Sequence, residues 1–252
     1  NGAVIPGGKK TTVEPKNGGN VELTLHADLQ HQVQDLLDAR VAKHHADWGA
    51  VVIEDVATGH VLVMADSNST EPDNAKPQKV HAVQDVFEPG SMGKLVTVGV
   101  ALNQGTISPT SVFQVPYALD LPDAGGPITD LHEHDGETLT ATGVLAESSN
   151  TGTVLIGQTM SDEQRYSMMR AFGFGQETGI ELPGESAGLL RNADQWQGRD
   201  RYVTMFGQAY AITAMQEASA LATIANGGVR ISPHIVKSWT NADGTVEVPD
   251  SS

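Results

Sequence analysis

The sequence predicts a mixed fold of helix and sheet, α+β or α/β, on three observations. An amphipathic helical pattern runs from Asp28 to about His44, two β-rich runs follow it as a hairpin, and the rest of the chain carries mainly helical signals. Leu29, Val33, Leu36, Leu37 and Val41 recur at helical spacing, so this helix is expected to lay one face on a sheet. That sheet begins with Ala50 to Val56 and Val61 to Ala65, joined by Ala-Thr-Gly-His.

Along the chain, residues 1–20 are rich in Gly and Pro and lack periodicity, which predicts a linker or extended arm, with a domain over 21–252. Ser67 to Gln78 is polar with two prolines and reads as an exposed loop. Leu95, Val98, Ala101 and Leu102 form one apolar helical face that ends at Gly105. Ser161-Asp-Glu-Gln164 is a capping-box pattern opening a helix that stops near Gly173, and Thr213-Ala-Met-Gln216 opens another closed by Gly227-Gly228.

Composition removes several function classes. The 252 residues suffice for a sizeable core, and 39% hydrophobic with 18% charged residues describes a folded chain rather than a disordered one. A net charge of −16 repels phosphate backbones, so no nucleic-acid partner is expected. The absence of cysteine removes disulfides, thiolate metal sites and a cysteine nucleophile. The longest nearly apolar stretch, Leu95 to Leu102, is far below the ~20 residues of a membrane-spanning helix. The chain opens on Asn1 rather than Met, which points to a piece of a longer polypeptide.

The chemistry centres on Glu88-Pro-Gly-Ser-Met-Gly-Lys94. Pro89 keeps Glu88 out of the helical region and Gly90 permits a sharp turn, so a helix is expected to begin at or near Ser91. Free N–H groups and the helix dipole there favour an oxyanion, and Lys94 lies one turn along on the same face. A serine needs a base to become a nucleophile, and a lysine serves as one when its pKa falls from ~10.4. On its own the pair also describes an N-cap serine followed by a surface lysine.

Three further blocks supply context. Gly143 to Thr151 contains Ser148-Ser149-Asn150, a Ser-x-Asn element after the Ser-x-x-Lys element. Ala171 to Leu190 reads AFGFGQETGIELPGESAGLL, and Phe206 to Lys237 reads FGQAYAITAMQEASALATIANGGVRISPHIVK. Together they closely resemble class B penicillin-binding proteins, the monofunctional transpeptidases, from about Val21 to Lys237. The resemblance implies an α+β fold like that of penicillin-binding proteins and serine β-lactamases: a central antiparallel sheet with helices on both sides and a helical subdomain. It also implies Ser91 as nucleophile, Lys94 as base, Ser148 as proton relay, and Asn150 holding Lys94 and the substrate amide.

By the same resemblance the substrates are the D-Ala-D-Ala ends of peptidoglycan stem peptides, with β-lactams as acylating inhibitors and no cofactor or metal. The setting is extracytoplasmic cell-wall synthesis in division, tethered by an N-terminal membrane segment outside this chain, alongside a membrane glycosyltransferase and division or elongation proteins. The family's Lys-Thr-Gly element is not found: Thr-Gly occurs at Thr58-Gly59, Thr151-Gly152 and Thr178-Gly179, never after lysine, and Lys237-Ser238-Trp239 lacks the glycine. The expectation is that the chain stops at Ser252 before reaching it. A serine β-lactamase and a noncatalytic scaffold of the same fold are the rival readings.

Other features read as structural. His132-Glu133-His134-Asp135 is expected to be a solvated loop rather than a metal cluster, and His44-His45 to end a helix where imidazolium complements the dipole. Gly173-Phe174-Gly175 lacks the lysine and strand of a phosphate loop and reads as a helix stop.

Overall fold

In a computed structural model, which describes residues 18–67 and 79–248, the hairpin is the layer from which the rest is built. A first strand, β1 (Asn20–Leu23), leads into helix α1 (Ala27–His44), and strands β2 (Ala50–Glu54) and β3 (Val61–Asp66) form the hairpin. Their pairing is antiparallel: Val51 faces Ala65, Val52 faces Met64 and Ile53 faces Val63, with a bulge at Glu54. Alternation sends the Val51–Ala65 and Ile53–Val63 pairs to one cluster with Leu29, Val33, Leu37 and Val41 of α1. Val52 and Met64 point the other way, to Met215 and Ala218.

Those last two residues belong to α8 (Ala214–Ala225), so the hairpin is covered by helices on both faces, as the family resemblance implies. The predicted helix is present within a residue of its expected start, with one exception in its facing: Leu36 is 66% exposed. The capping box at Thr213 is formed with both of its hydrogen bonds, as is that at Ser161, which opens α6 (Asp162–Ala171). Asp55 closes the hairpin turn, its carboxylate accepting from the N–H groups of Ala57 and Thr58 and the Thr58 hydroxyl.

Helix α3 (Gly93–Asn103) departs from the single apolar face predicted for it. Val96, Val98, Val100 and Ala101 are all buried, whereas Leu102 is 39% exposed. A helix apolar on nearly all sides sits inside a core rather than on its surface. Around α3 pack α4 (Ala141–Ala146), α5 (Asn150–Gly157) and α6, whose buried residues Val144, Ile156 and Met169 share one cluster with those of α3. These helices are the helical part of the α+β fold. Short ribbons β4 (Val112–Val115) with β7 (Glu137–Thr140), and β5 (Ala118–Leu119) with β6 (Ile128–Thr129), flank them.

The sequence pattern gave no sign of the pairing of β1 with β8 (Val236–Thr240), which in turn pairs with β9 (Val246–Glu247). Asn20 of the expected linker is therefore the first residue of a strand, while residues 1–17 and Asn68 to Gln78 lie outside the described residues. Lys237 ion-pairs with Glu22 in this second sheet and does not line the cavity described below.

The outer edge of β3 is closed by side chains. Gln30 donates to the Met64 carbonyl (3.0 Å) and accepts from its N–H (2.9 Å), and Gln34 does the same for Asp66 (2.9 and 3.3 Å). Two primary amides four residues apart on α1 thus take the place of a neighbouring strand, satisfying backbone groups that an edge leaves open. Replacing both with alanine should cost about 2 kcal/mol, at roughly 1 kcal/mol per residue lost, read as a lower denaturant midpoint. An unchanged midpoint would show the edge to be satisfied by water.

Candidate active site

Ser91 lies in a single 3-10 turn, Gly90–Met92, that runs directly into α3. The turn is held from below by a close crossing of two glycine backbones. Gly90 N–H donates to the Gly207 carbonyl at 2.9 Å, and Gly90 and Gly207 have φ of +57° and +87°. A methyl group on Gly207 would lie 1.8 Å from the Gly90 carbonyl oxygen, so no other residue fits there. Glu88 adds a second tie, accepting from Ala209 N–H at 2.8 Å.

Lys94 is carried inward by the first turn of α3 and is only 2% exposed. Its ammonium donates to the Ser148 carbonyl and, at 3.0 Å, to the Ser148 hydroxyl. The Ser148 hydroxyl is in turn 3.0 Å from Ser91 Oγ. One continuous path, Ser91 Oγ to Ser148 Oγ to Lys94 Nζ, results. Burial pulls the Lys94 pKa down from 10.5 to about 8, against an opposing upward pull from the negative charge of Asp130. A lysine with that midpoint is neutral in roughly one molecule in ten at pH 7, against fewer than about one in a thousand for an ordinary lysine.

Ser148 stands in the elbow between α4 and α5, with φ of +53°, and Ser149 caps α5 by accepting from Gly152 N–H at 2.8 Å. The Ser-x-Asn element is therefore a helix-to-helix junction, in which the N–H groups of Ser148 and Ser149 close α4 on the Leu145 and Val144 carbonyls and Ser149 opens α5. Asn150 is directed differently from the reading in which it holds Lys94: its Nδ2 donates to the Thr129 carbonyl at 2.9 Å. As the first residue of α5 it is turned towards β6, and the Ser148 carbonyl takes the lysine in its place.

Ser91, Lys94, Ser148 and Asn150 all line one cavity of about 510 Å³, with Asp130, His134, Glu147, Phe206 and Gln208 among the other wall residues. The segment from His132 to Asp135 is largely solvated as expected, but His134 departs from that reading. It is half-buried at the cavity wall, with Nε2 3.3 Å from Asp130 and its ring edge against Tyr117. Among the described residues no three His, Asp or Glu side chains are grouped as a metal would require.

Asp130 is the site residue that sequence reasoning passed over. It accepts from the N–H groups of Asn150 and Thr151 and from the Ser149 hydroxyl. Burial alone would raise its pKa, yet hydrogen bonds from Thr151, Ser149, His134 and Asn150 outweigh it and hold the group below the ordinary range. The only sequence signal was a lone aspartate in an acidic stretch, which by itself carries no periodicity or spacing.

Known proteins resemble the chain over most of its length. A family described as penicillin binding protein transpeptidase domain matches residues 49–251. Penicillin-binding protein PbpB of Mycolicibacterium smegmatis is 37% identical over 97% of the chain and 38% of its own length. Peptidoglycan D,D-transpeptidase FtsI of Escherichia coli is 33% identical over 92% of the chain and 40% of its own length. Penicillin-binding protein 3 of Mycobacterium tuberculosis, solved with aztreonam, superposes with a TM-score of 0.88 at 35% identity, covering 96% of this chain and 55% of that one. The chain thus spans well under half the length of these two curated relatives. With its matched residues embracing the Ser91 turn, the buried Lys94 and the Ser148 elbow, the chain belongs to the penicillin-binding protein transpeptidase domain family.

Proposed function

We propose that this domain is a serine D,D-transpeptidase that cross-links peptidoglycan stem peptides. The observation that carries the reading is the Ser148 hydroxyl within 3.0 Å of both Ser91 Oγ and Lys94 Nζ. Ser91 Oγ attacks the penultimate D-Ala carbonyl of a stem peptide, and its proton passes to neutral Lys94. As the C–N bond to the terminal D-Ala breaks, that proton travels through Ser148 to the leaving amine. An amine of a neighbouring stem then attacks the ester carbonyl, forming the new amide and returning a proton to Ser91. Asn150, at the cavity wall, orients the substrate amide.

A β-lactam enters the same first step and stops there, since its amine stays attached after ring opening. A relative named peptidoglycan D,D-transpeptidase FtsI supports a place in peptidoglycan synthesis, which this reading sets in division. Such a substrate implies an extracytoplasmic site, with a membrane tether and a glycosyltransferase partner supplying strands. No helix among the described residues is long and apolar enough to cross a membrane.

Intact-mass spectrometry after incubation with a penicillin tests the reading. The natural polypeptide carrying these residues should gain one penicillin mass, and Ser91→Ala should gain none. An adduct that survives in Ser91→Ala would overturn Ser91 as nucleophile. Turnover of the adduct by water instead of by an added amine would identify a β-lactamase, and a folded polypeptide that never acylates would be a scaffold.

A further inference from the structure

We propose that Asp130 is the positioning residue of this site: by fixing the first turn of α5 it holds Ser148 in place between Ser91 and Lys94. This inference rests on the serine acyl-enzyme reading. The Asp130 carboxylate is 9% exposed and divides its donors between its oxygens. Oδ1 takes the N–H groups of Asn150 and, at 2.9 Å, Thr151. Oδ2 takes the Ser149 hydroxyl at 2.8 Å and His134 Nε2 at 3.3 Å. Thr151 Oγ1 is 3.2 Å from Oδ2, but the carbonyl of Pro116 at 2.7 Å is the nearer acceptor for its proton.

Those two N–H groups are among the four that any helix leaves unpaired at its start, and a carboxylate there is also favoured by the helix dipole. His134 is set for its part: Nδ1 accepts from Gly136 N–H at 3.1 Å, so Nε2 carries the proton and donates to Asp130. Ser148 closes α4, its N–H donating to the Leu145 carbonyl at 3.1 Å and Ser149 N–H to the Val144 carbonyl at 3.0 Å, so its left-handed backbone is anchored by α4 on one side and, through Ser149 and the first turn of α5, by Asp130 on the other. With α4 fixing one end of this elbow, the Asp130 clamp fixes the other, and the carbonyl and hydroxyl that grip Lys94 take their placement from the two together.

Asp130 also acts through charge, drawing the Lys94 pKa upward against burial. The other titratable groups at the cavity wall are His132, Glu133, His134, Glu137 and Glu147. Of all these, Asp130 alone exerts a charge effect that offsets the burial of Lys94. Asparagine would keep Oδ1 but turn an NH₂ group toward the Ser149 hydroxyl and His134 Nε2–H, replacing an acceptor with a donor.

The test uses the natural polypeptide, with penicillin acylation rates measured against pH and Lys94 titrated by ¹³C NMR of labelled lysine. Asp130→Asn should acylate about 10- to 100-fold more slowly, and the Lys94 midpoint should fall. His134→Ala keeps the charge, so it should slow acylation about threefold and leave the Lys94 midpoint in place. A Lys94 midpoint and an amide exchange at Asn150 and Thr151 both unmoved in folded Asp130→Asn would overturn the proposal whatever the rate. Should Asp130→Asn fail to fold, His134→Ala decides: slower acylation with faster amide exchange at Asn150 and Thr151 supports the clamp, and no change in either overturns it. The NMR titration needs no nucleophile, so failure of the clamp is distinguishable from an adduct that persists in Ser91→Ala.

Discussion

Lys94→Met is expected to slow penicillin acylation by about a thousandfold, within the range by which a positioned base accelerates proton transfer, while the protein still folds. Methionine matches the buried stem of lysine and removes the amine, so the Ser91 proton loses its acceptor. In the unsubstituted protein, acylation should rise about tenfold per pH unit below the Lys94 midpoint and level off above about 8, where the amine is neutral. The variant should lose that rise. Acylation by Lys94→Met within tenfold of the unsubstituted rate would remove Lys94 from the base role.

The same depressed pKa makes a stability statement. Between about 8 and 10.5 the unfolded chain holds a proton on Lys94 that the folded chain has released. Stability therefore climbs as pH rises through that window, by at most about 3 kcal/mol at 1.36 kcal/mol per unit. Below the window the charged form is buried in full and that gain is absent. Denaturant melts of the unsubstituted protein and Lys94→Met at pH 7 and 10 should show the gain only in the former.

Gly207→Ala carries the second large effect. The new methyl would meet the Gly90 carbonyl oxygen at 1.8 Å and the Gly90 nitrogen at 2.7 Å, so backbone must move on one side of the crossing. A positive φ adds roughly 1–3 kcal/mol for a non-glycine residue. The total should reach about 4 kcal/mol or more, among the largest effects of single substitutions. Since the crossing supports the Ser91 turn, acylation should fall with stability. Gly227→Ala is the control: its φ is +67°, but an added methyl meets nothing within 4 Å, so only the backbone term applies. Equal melting-temperature losses in the two variants would refute the crossing as the cause.

What was legible in the sequence was local. The capping boxes at Ser161 and Thr213 are written within four residues, and both helices start where they say. The hairpin and α1 announce themselves through periods of two and 3.6. The facing of α3 could not be read, because a helix inside a core buries every side and its pattern no longer points in one direction. The β1–β8 pairing joins Val21 to Trp239, a separation over which sequence pattern carries no register. At the candidate site, Ser91, Lys94, Ser148 and Asn150 were reached through motif spacing together with the family resemblance, whereas Asp130 was not. Its meaning arises only when folding brings it to the start of α5, twenty residues later in the chain.

The two glutamines of α1 give the hairpin a direction. With Leu62, Met64 and Asp66 already engaged by His26, Gln30 and Gln34, β3 offers no template to an incoming strand. Among the described residues β2 has a strand partner on one side only. Growth of this layer, whether by a segment of the same polypeptide or by a stray chain in a crowded refolding mixture, is therefore restricted to Ala50–Glu54. There the bulge at Glu54 limits the length of any regular register. A pair of glutamines thus halves the routes by which this hairpin could grow edge to edge.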